Sequence, residues 1–576
     1  MQDEPALEHI TQPPPPSTRL TGWNVLLYVL LLAPGLRGLL ANNADLALMS
    51  AEWIDSGSIV TSLLELTESS SFYNYSATFH TRVYGGSFYF FIFWPFAFYK
   101  WVVGIHPSTS FPVFAVTARL VTLAFSVLAL ILLQRLSFRL TKSKLASIAI
   151  VVATAAVGPF VTFSYEVHPE PAGMACSIAA FLGIHAYFET GRVRYILGVL
   201  LAITLGALSK QAFGLMAVPS AMAAGIALRD HLSKGGSLRL SSALKLIGMG
   251  VGGMALCVLV FNPYLLFSPR SFLDTQLYLK ALHGLNGRAT LAENMGEWFS
   301  EIISADYVLL MGLIASVVTC GVSLTKSSPA VRTLRLVAVY NIAFTLWLTA
   351  SVYTPRTPLY FYPIYPFLVL VVVYGITFLV QYAHSSPVAL RRRVAAAAAV
   401  GMVLAQVLIF FRNTLEAVDT VARSVTFKHT DAVRLRDALA SQLEGHARSV
   451  LHSVSIPLQD GASSNLRNTF QLGSTAEDMS GHLNNLQPEL MVLDITKYWP
   501  FEQLVVQGKY DPKLVHRYEI RKRFPDLPPC RGLTPCIVSL KRRLNAATLS
   551  SAEPSSEQEP FAVVYSRQAL SLPSGK

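Results

Sequence analysis

Apolar runs of roughly 18–24 residues recur between Trp23 and Phe411, each long enough to cross a hydrocarbon core of about 30 Å as a helix. Short polar links rich in Lys and Arg separate them. The pattern predicts eleven transmembrane helices, at about 23–41, 112–133, 145–164, 171–188, 194–209, 211–228, 246–266, 305–325, 333–353, 359–382 and 394–411. One further run, SFYFFIFWPFAFYKWVVGI from Ser87 to Ile105, is settled by charge. If it does not fully cross and the N-terminus is cytoplasmic, every strongly basic loop falls inside, among them Arg135 to Lys144, Arg192 to Arg194 and Arg391 to Arg393. That is the arrangement the positive-inside rule demands. The run then reads as an in-plane or re-entrant aromatic helix in a long first outer loop, and its Phe, Tyr and Trp content suits the interface.

Composition agrees: 52% of the 576 residues are hydrophobic and 14% are charged, where a soluble chain carries about a quarter charged. The net charge of +12 is an orientation signal spread over short loops, not a nucleic-acid footprint. Residues 1–22 are polar and proline-rich and read as a disordered cytoplasmic arm, with residues 23–411 as the membrane domain. Eleven spans place the C-terminal region outside. There HTDAVRLRDALASQLEG has helical spacing, and SVLHSVSI, ELMVLDIT, VHRYEIRKRF and CIVSLKRR read as short strands, so a small α/β domain is expected on the outer face within 412–545. Residues 546–576 read as mostly disordered. Cys530 and Cys536 are spaced for a disulfide if that compartment is oxidising.

The outer loops collect polar groups a connector does not need. The first carries Asp45, Glu52, Asp55, His80 and Arg82; the second, SYEVHPEPAG, holds Glu166, His168 and Glu170 within five residues. Lys210 sits in the turn LSKQAFG, Arg270 follows NPYLLFSP, and Arg356 and Tyr360 lie in YTPRTPLYFYPIYPF. Arg119 begins the second span from the outer side. Charge near membrane depth is costly unless paired or wet, and so marks candidate function. Carboxylates supply a general base, and Arg and Lys suit phosphate. The inventory fits an amphiphile with a phosphate at the interface, such as a polyprenyl-phosphate-linked sugar. Each residue also has a plainer reading: Asp45 as a helix N-cap, Glu170 as a helix-start device, Lys210 as a snorkelling side chain, Arg356 as an interfacial anchor.

Four stretches in order, NNADLALMSAEW, TARLVTLAFSVLALILLQRL, LGALSKQAFGLMAVPSAM and TPRTPLYFYPIYPFLVLVV, resemble the GT-C glycosyltransferases. The likeness is to the dolichyl-phosphate-mannose protein mannosyltransferases and the bacterial lipid A aminoarabinose transferases. It implies an inverting glycosyltransferase that moves a sugar from a polyprenyl-phosphate carrier to an acceptor hydroxyl at the outer face of a bacterial inner membrane. By resemblance, Asp45 is the base, Glu170 a second acid, and Arg119, Lys210 and Arg356 hold the lipid phosphate; from the outer-loop inventory, Arg270 is a further phosphate candidate and His168 and Tyr360 are candidate substrate contacts. The sequence departs from the pattern where Asp45 is followed by Leu46 rather than an acid. A divalent cation near Asp45 and Glu170 is compatible with this chemistry but not required, and no other cofactor is implied. The expected partners are a lipid-linked donor, a lipid, glycan or protein acceptor, and the membrane itself, with no nucleic acid. The rival reading is a transporter or flippase for a lipid-linked or anionic solute, which predicts internal repeats and charges deep within spans.

Overall fold

The computed structural model describes residues 43, 46, 49, 54–69, 85–106, 110–233, 240–270, 273, 274, 277, 290–305, 307–321, 328–352 and 358–385, scattered positions from 393 to 408, and four strands between 450 and 567. The expected span at 23–41, Asp45, Arg356, Cys530 and Cys536 lie outside the described residues, and the span at 394–411 is described only in scattered positions.

The described elements of the membrane part are all helices. In order come α1 (Ile54–Glu68), α2 (Ser87–Phe98, continued by a wider turn at Tyr99–Val103), α3 (Phe111–Thr141), α4 (Lys144–Ala155), α5 (Gly158–Tyr165), α6 (Glu170–Thr190), α7 (Arg194–Ser209), a tight turn of helix at Gln211–Met216, and α8 (Ala217–Ser233). Then follow α9 (Leu240–Phe261), α10 (Tyr264–Phe267), α11 (Leu291–Ala305), α12 (Tyr307–Cys320), α13 (Pro329–Ser351) and α14 (Tyr365–Ser385). Among the described residues four helices are long and apolar enough to cross a membrane: Phe111–Thr141, Glu170–Thr190, Gln211–Asp230 and Pro329–Ser351. Two bent pairs raise that to six if each is one span.

The bends depart from the expected straight spans, and both have a local cause. The run at 145–164 breaks by 71° between α4 and α5. Pro159 stands in the first turn of α5. In an unbroken helix its ring would meet the carbonyl of Ala155 four residues back, and its missing N–H would leave that carbonyl unpaired. The run at 305–325 starts as α12, but a 15-residue helix, α11, precedes it at 111° within what reads in the sequence as an outer loop. A capping box starts α11: Thr290 N donates to Glu293 Oε2 at 2.6 Å, and Glu293 N donates to Thr290 Oγ1 at 3.3 Å. The helix is then clamped across the end of α13. Asn294 Nδ2 donates to Thr349 O at 2.6 Å and to Val352 O at 3.2 Å, and the Trp298 indole donates to Val352 O at 2.7 Å. These donors satisfy carbonyls that a helix C-terminus leaves without an internal partner.

Two apolar clusters hold the bundle. The larger joins α3, α4, α6, α13 and α14 through Leu133, Ile150, Phe181, Tyr340 and Phe367. The smaller joins α1, α2 and α3 to the link before α6, through Leu63, Phe88, Phe114, Val167 and Ala172. Helix α7 approaches α6 closely at Gly206, and Gly173 on α6 makes room for Phe213 in the turn after α7. A Cβ on Gly173 would stand 2.2 Å from Phe213 Cδ2. In the C-terminal region the described residues form a four-stranded sheet of order β1-β2-β4-β3, with β1 (Val450–His452), β2 (Leu490–Asp494), β3 (Tyr518–Pro525) and β4 (Pro560–Arg567). β1 and β2 run parallel and the other neighbours antiparallel. The first three coincide with expected strand segments. The fourth comes instead from the stretch expected to be mostly disordered: FAVVYS, with its β-branched and aromatic residues, pairs with both β2 and β3. The strand expected in CIVSLKRR and the helix expected in HTDAVRLRDALASQLEG lie outside the described residues.

The close approach at Gly173 yields a paired prediction. Gly173→Ala lowers the thermal midpoint of the detergent-purified protein, by an amount corresponding to about 1–3 kcal/mol, because Phe213 is fully buried and has nowhere to move. Gly198→Ala, also in a helix but with open space around it, leaves the midpoint unchanged or raises it. Equal midpoints for the two variants would contradict the packing described.

Candidate functional site

The link between α5 and α6 is built to bury charge. Tyr165 ends α5, the backbone is extended at Glu166, and α6 opens at Glu170 with Pro169 and Pro171 around its first turn. Proline is tolerated there because first-turn N–H groups lack helical partners anyway. Glu166 is 1% exposed, and His168 and Glu170 are equally enclosed. A carboxylate so buried is stable only if paired, and both are. Ser56 Oγ on α1 donates to Glu166 Oε2 at 2.7 Å and accepts from Val167 N at 2.9 Å. Glu170 is bracketed by Lys210 Nζ on one oxygen and His168 Nδ1 on the other. It also lies in the first turn of α6, where the helix dipole favours negative charge.

Lys210 arrives there because α7 stops at Ser209. Lys210 itself is extended, between α7 and the tight helical turn that follows. Ser209 Oγ donates to Pro169 O at 2.9 Å, which pins this corner to the link carrying Glu170. The Lys210 side chain is 22% exposed, so its ammonium bridges a buried carboxylate and the surface. The ring of His168 leans on Phe163 with centroids 4.8 Å apart, and Phe163 meets Tyr362 edge-on at 5.0 Å. The Tyr/Pro segment before α14 therefore backs the cluster.

The aromatic helix is locked against the same corner. Its entry, Gly85-Gly86-Ser87, runs between the C-terminal ends of α7 and α9. Ser87 Oγ donates to Leu205 O at 3.0 Å. A Cβ on Gly86 would fall 1.6 Å from Phe261 O, so no side chain fits. Gly85 has φ +98°, a conformation that favours glycine. Phe90 and Phe91 then pack on Phe261, while Trp94, Phe98 and Trp101 stay exposed.

Of the residues singled out in the sequence, Glu170, His168 and Lys210 meet. Arg119 is not at the mouth of its span. It lies eight residues into α3 and is 0% exposed, and its neighbours Ala115 and Ala118 pack in the cluster that holds Val167 and Ala172. Arg270 is exposed, and among the described residues no contact joins it to Glu170. Tyr360 is half-buried in the helical turn Pro358–Phe361, next to the Tyr362 segment. Asp45 and Arg356 lie outside the described residues, but Met49, four residues after Asp45, is buried in the same cluster as Val167 and Ala172. Sequence reasoning passed over Glu166 in favour of Glu170, and it missed Ser56. The alternation of Glu166, His168 and Glu170 through an extended link was a signal for Glu166, since alternate residues share a face there. Nothing in the local sequence marks Ser56. Among the described residues no three His, Cys, Asp or Glu side chains converge as a metal requires.

The Lys210–Glu170 pair predicts non-additive stability. Removing one partner leaves a buried charge uncompensated and costs about 3–5 kcal/mol, less where solvent reaches the lysine, whereas removing both is milder. Lys210→Met therefore melts at a lower temperature than the double variant Lys210→Met/Glu170→Gln. If the double variant melts as the sum of the two single losses, the pair is not coupled.

A family model described as dolichyl-phosphate-mannose-protein mannosyltransferase matches residues 110–267. No curated protein matches the chain. The matched stretch contains Glu166, His168, Glu170 and Lys210, and also the buried Arg119. Together with the apolar helices around it, the match supports an integral membrane glycosyltransferase of the GT-C type.

Proposed function

We propose that the protein transfers a sugar, with inversion, from a polyprenyl-phosphate carrier to an acceptor hydroxyl at the membrane surface where α6 begins. The observation that supports this most is Lys210, held by buried Glu170 at the end of the bundle and partly open to solvent. In the proposed reaction Asp45 takes the proton of the acceptor hydroxyl as its oxygen bonds to the anomeric carbon. The bond from that carbon to the phosphate oxygen breaks, and polyprenyl phosphate leaves with the electron pair. Negative charge grows on the departing phosphate, and fixed cations stabilise that growth more than the ground state. Lys210 is one such cation, with Arg356 as another. Glu170 keeps the Lys210 ammonium charged and aimed, and His168 steadies Glu170. The carrier's apolar tail lies along the exposed aromatic face of α2, at Trp94, Phe98 and Trp101. The donor is activated as a phosphate ester, so no nucleotide is needed at this face.

The test is transfer or hydrolysis of a panel of radiolabelled polyprenyl-phosphate sugars by the reconstituted protein. Wild type consumes one donor. Asp45→Asn, matched for folded protein, loses about 10²–10⁴-fold, the range for a positioned general base. Undiminished turnover by Asp45→Asn removes the base assignment. Movement of intact donor across the bilayer with no sugar release removes the transferase reading.

A further inference from the structure

A second polar site lies at the opposite end of the same helices. His185 follows Glu170 by fifteen residues along α6, about 22 Å at the helical rise. It is 1% exposed. Around it is a cleft of about 370 Å³ lined by Arg139, Lys142, His185, Glu189, Ser328, Pro329, Tyr374 and Thr377 among others. That volume is within the range of about 300–1,000 Å³ typical of small-molecule sites. Four helices meet there: the ends of α3 and α6, the start of α13 and the middle of α14.

The side chains are arranged for an anion. Lys142 ends α3 in the left-handed conformation, φ 55°, and its N–H closes on Phe138 O at 2.8 Å, which turns its side chain off the helix at the rim. Its ammonium lies 3.7 Å from Glu189, and 70% of the side chain is exposed, so the pairing is loose and exchangeable. Arg139 adds a second cation. Against Glu189 alone the cleft keeps one positive charge, to which α13 adds the partial charge of its N-terminus behind the Ser328 cap. His185 walls the cleft on the α6 side. Thr333 Oγ1 spends its hydrogen on Pro329 O at 2.8 Å, so it accepts from His185 Nδ1 at 3.1 Å. That fixes the proton on Nδ1 and leaves Nε2 facing the cleft side, 3.2 Å from Glu189 Oε1 and with no hydrogen bond of its own. Basic loops on a membrane protein orient it without forming sites; here two basic residues from one loop converge with a buried imidazole and a helix start from elsewhere in the chain.

We propose that this cleft is a binding site for a phosphate-bearing ligand at the membrane face opposite the Glu170 cluster. The ligand is either the headgroup of an anionic lipid or a soluble phosphate. The site is independent of the transferase reading.

The test uses the full chain in nanodiscs of phosphatidylcholine, with and without phosphatidylglycerol. Retained phosphatidylglycerol is counted by native mass spectrometry, and inorganic phosphate is titrated separately by calorimetry. Wild type binds at least one of the two saturably. Arg139→Gln/Lys142→Gln weakens that binding about tenfold or more, as expected for loss of charge-assisted contacts. Arg135→Gln/Lys144→Gln, the same charge change on nearby exposed residues outside the cleft, weakens it much less. Retention of phosphatidylglycerol without a phosphate titration assigns the lipid headgroup, and a saturable phosphate titration assigns the soluble source. Equal weakening by the two double variants, or no saturable binding of either probe, overturns the proposal. Melting curves of both variants confirm that they are folded.

Discussion

The constraint on which this architecture turns is the burial of two carboxylates in one short link. Glu166 and Glu170 sit in apolar surroundings where an unpaired charge would be prohibitive. Each must therefore draw in a partner, and the partners come from different parts of the chain. Ser56 brings α1 to Glu166, and Lys210 brings the corner after α7 to Glu170. Once these contacts form, the link between α5 and α6 can occupy only one position. The end of the bundle is then a fixed assembly of loops instead of a set of independent connectors.

Backbone packing without side chains completes that assembly. Gly86 lets the start of the aromatic helix touch the carbonyl of Phe261, and Gly173 lets α6 close on Phe213. Small residues at such crossings are how membrane helices approach closely where the hydrophobic effect gives no preference between lipid and protein. The result starts the aromatic helix against the end of α7, whose next residue is Lys210. At the far end of the same helices the charges are looser and more exposed. That difference fits two roles for charge in one bundle, rigid at one face and exchangeable at the other.

Much of the helical architecture was legible because membrane helices are written as long apolar runs, and Lys210 and Glu170 stood out as charges next to such runs. What was not legible depended on contacts distant in sequence. The start of α3 was legible, at 112 against the observed Phe111, but the burial of Arg119 was not, because it follows from packing around Ala115 and Ala118 in the cluster shared with α1 and α2. The bend at Pro159 was readable in principle, but a single proline in an apolar run is as easily absorbed as a kink. Helix α11 was hidden because its amphipathic face is covered by parts distant in sequence, the end of α13 through Asn294 and Trp298 and the turn at Phe361. Ser56 and Thr333 carry no signal at all, since a hydroxyl in a helix ordinarily bonds its own backbone. Strand β4 was obscured by the polar, serine-rich residues that precede it.

The central claim is that Lys210, held by Glu170, receives a lipid-borne phosphate. It is tested most directly by measuring the affinity of the purified protein for a polyprenyl phosphate without sugar, in wild type and Lys210→Gln, with Lys144→Gln as a control for loss of an exposed lysine elsewhere on the bundle. The account predicts that Lys210→Gln weakens binding about tenfold or more while the control stays near wild type. Equal affinity in wild type and Lys210→Gln would contradict it and leave the Lys210–Glu170 pair as a purely structural tie.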